Sequence, residues 1–116
     1  MQIPKDATLL RIFIGEDDRH DGKPLHEVIV LNARETGLAG ATVLRGPMGY
    51  GRSSRLHTTK ILRLSEDLPL VIEIVDSPER VNDFLEMLDI LLHGTSALVT
   101  MERVQVLRYG PDSGSD

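Results

Sequence analysis

From position 45 to position 55 the sequence runs Arg-Gly-Pro-Met-Gly-Tyr-Gly-Arg-Ser-Ser-Arg. Gly46, Gly49 and Gly51 let backbone N–H groups come close to an anion, and Arg45, Arg52 and Arg55 supply guanidinium forks that match phosphate oxygens in pairs. The chemistry served by these residue types is phosphate recognition. The glycine spacing is that of a P-loop, but Arg52 stands where the motif requires lysine, which reaches between phosphates as a compact charge. No magnesium-holding aspartate can be placed after a buried strand. The segment therefore reads as an anion cradle rather than a triphosphatase loop, with a hairpin tip of solvated charges as the plainer alternative.

The charge distribution agrees. No acid falls between Glu35 and Glu66, where Arg45, Arg52, Arg55, Lys60 and Arg63 lie, so the net charge of −5 is the balance of +5 here and −10 elsewhere. A local anion site inside an acidic chain is the consequence. Cysteine is absent, which excludes disulfides, thiolate zinc sites, iron–sulfur clusters and thiol nucleophiles. Four aromatic residues (Phe13, Phe84, Tyr50, Tyr109) are too few for a base-stacking platform, and with the acidic balance they argue against nucleic acid. His20, His26, His57 and His93 show no ligand spacing; His57, in the basic segment, could touch phosphate or a partner, or simply be solvated. The acidic turn Glu16, Asp17, Asp18, His20 and Asp21 could hold a divalent cation, but its plainer role is a solvated connection favouring the positive end of the next helix. No Ser/His/Asp set or carboxylate pair can be assembled, and no catalytic residue is assigned.

The elements that must position these residues follow from period and punctuation. Thr8 to Gly15 reads as a strand, Leu25 to Thr36 as a helix with Pro24 in its first turn, and Ala41 to Arg45 as a short strand leading into the glycine segment. The stretch to about Asp67 has no clear period. Leu70 to Val75 is the strongest strand, and Asp76-Ser77-Pro78-Glu79 caps a helix whose stripe is Val81, Phe84, Leu85, Leu88, Leu91 and Leu92, ended by Gly94. Ala97 to Leu107 reads as a final strand. The order β-α-β, β-α-β predicts an α+β, ferredoxin-like βαββαβ fold: a four-stranded antiparallel sheet with both helices on one face. One hundred and sixteen residues suit one domain, 1–110, with a polar, disordered tail at 111–116. The other face of the sheet should carry Leu9, Arg11, Phe13, Val71, Glu73 and Val75, apolar enough to pack against further copies. The first residues lack the features of a signal peptide and no apolar run reaches membrane-span length, so a cytoplasmic, non-membrane protein is expected.

Several short motifs in fixed order carry a resemblance: Leu10-Arg11-Ile12-Phe13-Ile14-Gly15-Glu16, Gly22-Lys23-Pro24-Leu25, Gly40-Ala41-Thr42-Val43-Leu44-Arg45-Gly46, and Gly49-Tyr50-Gly51. From about residue 6 to 110 the chain resembles the PII-like family catalogued as domain of unknown function 190. The resemblance implies a homotrimer similar to the PII nitrogen-regulatory proteins, with adenine nucleotides in clefts between subunits and a long loop that contacts partners. It implies no enzyme activity and no obligatory cofactor. In PII proteins a Gly-x-Gly-Arg at the base of the loop lies against the phosphates, which corresponds to Gly49, Gly51 and Arg52. Arginines of the PII last strand reach the phosphates across the interface, which corresponds to Arg103 and Arg108.

The departures from PII narrow what is implied. Ser53 replaces the glutamine that helps hold magnesium and 2-oxoglutarate, so sensing of 2-oxoglutarate is not expected. His93-Gly94-Thr95-Ser96 lacks the lysine before the last strand, and Val106 replaces one of its arginines. A triphosphate would lose contacts, which favours AMP or ADP over ATP. The modifiable tyrosine of the PII loop has no counterpart. The expected function is a PII-like signalling protein that binds AMP or ADP through Arg45, Gly46, Gly49, Gly51, Arg52, Arg55, Arg103 and Arg108. It would report through the loop 46–67 to a protein partner such as a membrane transporter or metabolic enzyme. The alternative is a trimeric metal-tolerance protein similar to the CutA family, against which the lack of cysteine counts. An acylphosphatase-like hydrolase is disfavoured because the turn from Glu16 to Lys23 is mostly acidic and would repel an anionic substrate.

Overall fold

The computed structural model describes residues 5–49, 57–58 and 67–111. The chain runs β1 (Asp6–Gly15), β2 (Arg19–His20), β3 (Lys23–Pro24), α1 (Leu25–Glu35), β4 (Thr42–Arg45), β5 (Met48–Gly49), β6 (His57–Thr58), β7 (Pro69–Asp76), α2 (Pro78–Leu92) and β8 (Leu98–Gln105). The main sheet has the order β4-β7-β1-β8, and each neighbouring pair is antiparallel. β1 and β4 are each antiparallel to β7, so they are parallel to one another with β7 inserted between them. This is the split arrangement of a ferredoxin-like fold.

β1 pairs with β7 from Thr8↔Asp76 to Gly15↔Pro69. Side chains alternate across the pleat, so Leu10, Ile12, Ile14, Leu70, Ile72 and Ile74 share one face. All six are buried, packed with Leu25, Ile29 and Ala33 of α1 and Val81, Phe84, Leu88 and Leu91 of α2. Both helices therefore cover the same face, as their apolar spacing requires. Burial of each large side chain contributes roughly 1.5–3 kcal/mol. α2 begins at Ser77, whose Oγ accepts from the Arg80 N–H at 3.2 Å with Pro78 in the first turn, a cap that contributes about 1 kcal/mol.

Asp76, at the end of β7, is fully buried. Its Oδ2 accepts the Ala39 N–H at 2.8 Å and its Oδ1 the Ser77 N–H at 2.7 Å. One carboxylate thus joins the start of α2 to the connection before β4.

The helix-free face carries Leu9, Arg11 and Phe13 of β1 and Val71, Glu73 and Val75 of β7. It also carries Thr42 and Thr100, and a charged group lies at its centre, where Arg11 Nε donates to Glu73 Oε2 at 2.9 Å and Nη1 to Glu102 Oε1 at 2.6 Å. The hydrogen bond to Glu73 first, and that to Glu102 second, raise the pKa of the Arg11 guanidinium above its ordinary value. Arg11 is therefore positive at any pH of use.

Four local features differ from the sequence expectation. Pro24 is not inside the helix: it is the N-cap (φ −55°, ψ 124°) because it also closes the β2–β3 hairpin. That hairpin turns at Asp21 (φ 51°) and Gly22 (φ 79°), the pairing that suits a two-residue connection. Within the stretch without period, Met48 pairs with Thr58 and Gly49 with His57. The last strand stops at Gln105 rather than Leu107: the Val106 N–H still donates to the Lys5 carbonyl at 2.7 Å, in register with the ladder, and the chain departs after it. It ends up at the opposite edge, where Tyr109 Oη donates to the Ala39 carbonyl at 2.9 Å. The expected tail lies outside the described residues from position 112 onward.

Candidate functional site

At the Gly15 end of the sheet three stretches meet. The Gly46 N–H donates to the Pro69 carbonyl at 2.8 Å and the Glu16 N–H to the Leu68 carbonyl at 2.8 Å. The Asp17 N–H donates to Asp67 Oδ1 at 2.7 Å. The two stems of the long segment between β4 and β7 are thereby held together and joined to the turn after β1. Two glycines here are closely approached by side chains. A Cβ on Gly15 would lie 2.7 Å from Asp67 Oδ1, and one on Gly49 would lie 3.1 Å from Pro69 Cγ.

Arg45 projects from this root with its side chain 60% exposed, and its Nη2 donates to Glu16 Oε2. Gly46 and Gly49 lie beside it in the chain, folded back on Pro69. The Gly46 N–H is taken up by the Pro69 carbonyl, so the exposed guanidinium is the group here that can pair with a phosphate. Gly51, Arg52 and Arg55 lie outside the described residues.

Arg103 and Arg108 occupy the other end. Arg103 pairs with Thr8 across β1 and β8, on the same ladder end as Asp76. From Thr8 to Gly15 the strand advances about 23 Å, so one chain does not bring Arg103 to Arg45. Arg108 follows β8, with Nε donating to the Gly110 carbonyl at 3.3 Å and Nη2 to the Pro111 carbonyl at 3.2 Å. It borders a hollow of about 730 Å³ between the segment 104–109 and Ala39, Thr42, Glu73 and Val75. A phosphate that touched both groups of arginines would have to lie between two chains.

Two residues at these ends escaped the sequence reading. Glu16, by sequence one of the acids that precede α1, has Arg45 as its partner. The signal was the fold itself: parallel β1 and β4 must end on the same side of the sheet. Tyr109 is the second, tied to Ala39 by a contact between elements that local pattern does not carry. Among the described residues, no group of three or more His, Asp or Glu could hold a metal ion, and no helix is long and apolar enough to cross a membrane.

Comparison with known proteins agrees with this architecture. A UPF0166 protein of Aquifex aeolicus is 40% identical over 99 residues, covering 85% of this chain and 91% of that protein. Among solved structures, CPII of Thiomonas intermedia K12, a nitrogen regulatory PII-like protein bound to ADP, AMP and bicarbonate, superposes with a TM-score of 0.69 at 20% identity. The match covers 89% of this chain and 90% of CPII. B. subtilis GlnK in its ATP complex superposes with a TM-score of 0.56 at 13% identity, covering 89% of this chain and 85% of GlnK. The family model DUF190, described as "Uncharacterized ACR", matches residues 7–106. With the main sheet and both helices inside that match, the chain has the PII-like fold and belongs to the DUF190 family.

Proposed function

We propose that this chain is a cytoplasmic PII-like regulatory protein, without catalysis of its own, that binds an adenine nucleotide between the subunits of a homotrimer. AMP or ADP is preferred to ATP. Occupancy is reported through the segment 46–67 to a partner protein, of which a membrane transporter or metabolic enzyme is the expected class. The observation that supports this most is Arg45, exposed at the root of the long segment in a PII-like fold. CPII, which has that fold, is described with ADP and AMP bound. The distance between Arg45 and the pair Arg103 and Arg108 fits a site completed by a neighbouring subunit. The trimer draws support from apolar side chains left uncovered on the edge strands, with Leu44 50%, Leu98 57% and Met101 50% exposed.

Isothermal titration with AMP, ADP and ATP tests the ligand half, with binding of AMP or ADP tighter than ATP as the expected result. No heat from any of the three at millimolar concentration would remove it. Sedimentation at micromolar concentration tests the assembly: a monomer would remove both the trimer and the shared site.

A further inference from the structure

Arg45 already has an anion on it. Its Nη2 donates to Glu16 Oε2, and a carboxylate offers a guanidinium the same pair of acceptor oxygens that a phosphate does. The two members of the pair differ in freedom. Glu16 is 26% exposed and Arg45 60%. The Glu16 N–H is bound to Leu68 and the next N–H to Asp67, so the acid belongs to a fixed turn. The arginine is the member able to turn towards a ligand.

The charge around the pair is also biased. Asp18 Oδ2 accepts the Gly15 N–H at 2.9 Å and Asp67 Oδ1 accepts from Asp17, so backbone donors hold these carboxylates at the root. An incoming phosphate chain gains the arginine but meets this negative field, and the repulsion grows with the number of phosphates.

We infer that Glu16 occupies the phosphate position on Arg45 in the empty protein and thereby makes the site favour ligands with few phosphates over those with many. The inference rests on the nucleotide reading above and adds to it a specificity-determining residue that acts through Arg45. Glu16→Gln keeps the length of the side chain and removes its charge.

Wild type and Glu16→Gln are titrated with AMP and with ATP at one salt concentration. The expected result is ATP affinity raised about fivefold and AMP affinity by less than about twofold, in line with the modest strength of an exposed ion pair and the larger charge of ATP. Glu16→Ala, which also lacks the charge, must shift the ATP-to-AMP ratio in the same direction, and Glu16→Asp must retain the wild-type ratio. An unchanged ratio in both neutral variants, with binding intact, overturns the role of Glu16 and leaves the nucleotide site standing. Absence of binding by wild type and variants alike overturns both.

Discussion

At the Gly15 end of the sheet, backbone hydrogen bonds do most of the holding, Gly46 to Pro69, Glu16 to Leu68 and Leu25 to Asp18, with the Asp18 and Asp67 carboxylates adding the Gly15 and Asp17 N–H groups. At the Asp76 end, two side chains do it: a buried carboxylate that gathers the Ala39 and Ser77 N–H groups, and a tyrosine hydroxyl on the Ala39 carbonyl. The difference bears on how each end can serve a ligand. A cation on a backbone-held frame, such as Arg45, can exchange one anion for another without disturbing the fold. At the other end, the path of the chain past Arg103 to Arg108 depends on contacts that single substitutions can remove.

The largest effect should come from Asp76→Ala, which leaves two partly buried N–H donors without their acceptor. Each unsatisfied group costs about 1–3 kcal/mol, so urea unfolding should register a loss of about 3 kcal/mol or more. A loss under about 1 kcal/mol would show that the far end is held by something else. Next in size, Arg45→Ala and Arg103→Ala should each weaken AMP binding by about 1.5–3 kcal/mol, the range for charge-assisted contacts. Their sharper use is together: mixed and refolded, the two weakened variants should regain tight sites at those interfaces where an intact root meets an intact far end. Mixtures that bind no better than either variant would mean that the two ends do not share a ligand. The smallest effect is expected from Tyr109→Phe, which removes one exposed hydrogen bond and should lower stability by about 1 kcal/mol or less, measured by thermal unfolding. A shift as large as that of Asp76→Ala would erase the distinction between the two residues.

What could be read in the sequence was what depends on period. The alternation in β1 and β7 and the stripe Val81, Phe84, Leu88 and Leu91 specify the covered face of the sheet, and the order of elements then leaves few topologies. The β2–β3 hairpin was not read because two-residue strands have no alternation to detect, although Asp21-Gly22 is a strong turn pair. The end of β8 was misjudged for a different reason. Val106 and Leu107 are good strand formers, and the contact that takes the chain off the ladder, Tyr109 on the Ala39 carbonyl, is tertiary. At the candidate site, residue type identified the cations but not their partners. The charge of Arg45 is local information, whereas its pairing with Glu16 follows from strand direction and not from any local motif. The charged group Arg11, Glu73 and Glu102 lies between these cases, since alternation puts Arg11 and Glu73 on one face while strand order decides that they touch.

The Gly46–Pro69 hydrogen bond has a bearing on how such a protein can diversify. Once the stems are clasped, the chain between them is a closed loop, and doubling the length of a flexible loop adds only about 0.6 kcal/mol of closure entropy. The insert can be lengthened or shortened at small thermodynamic expense, while the clasp keeps Arg45 and its frame unchanged. Change in the insert is thereby uncoupled from the integrity of the body.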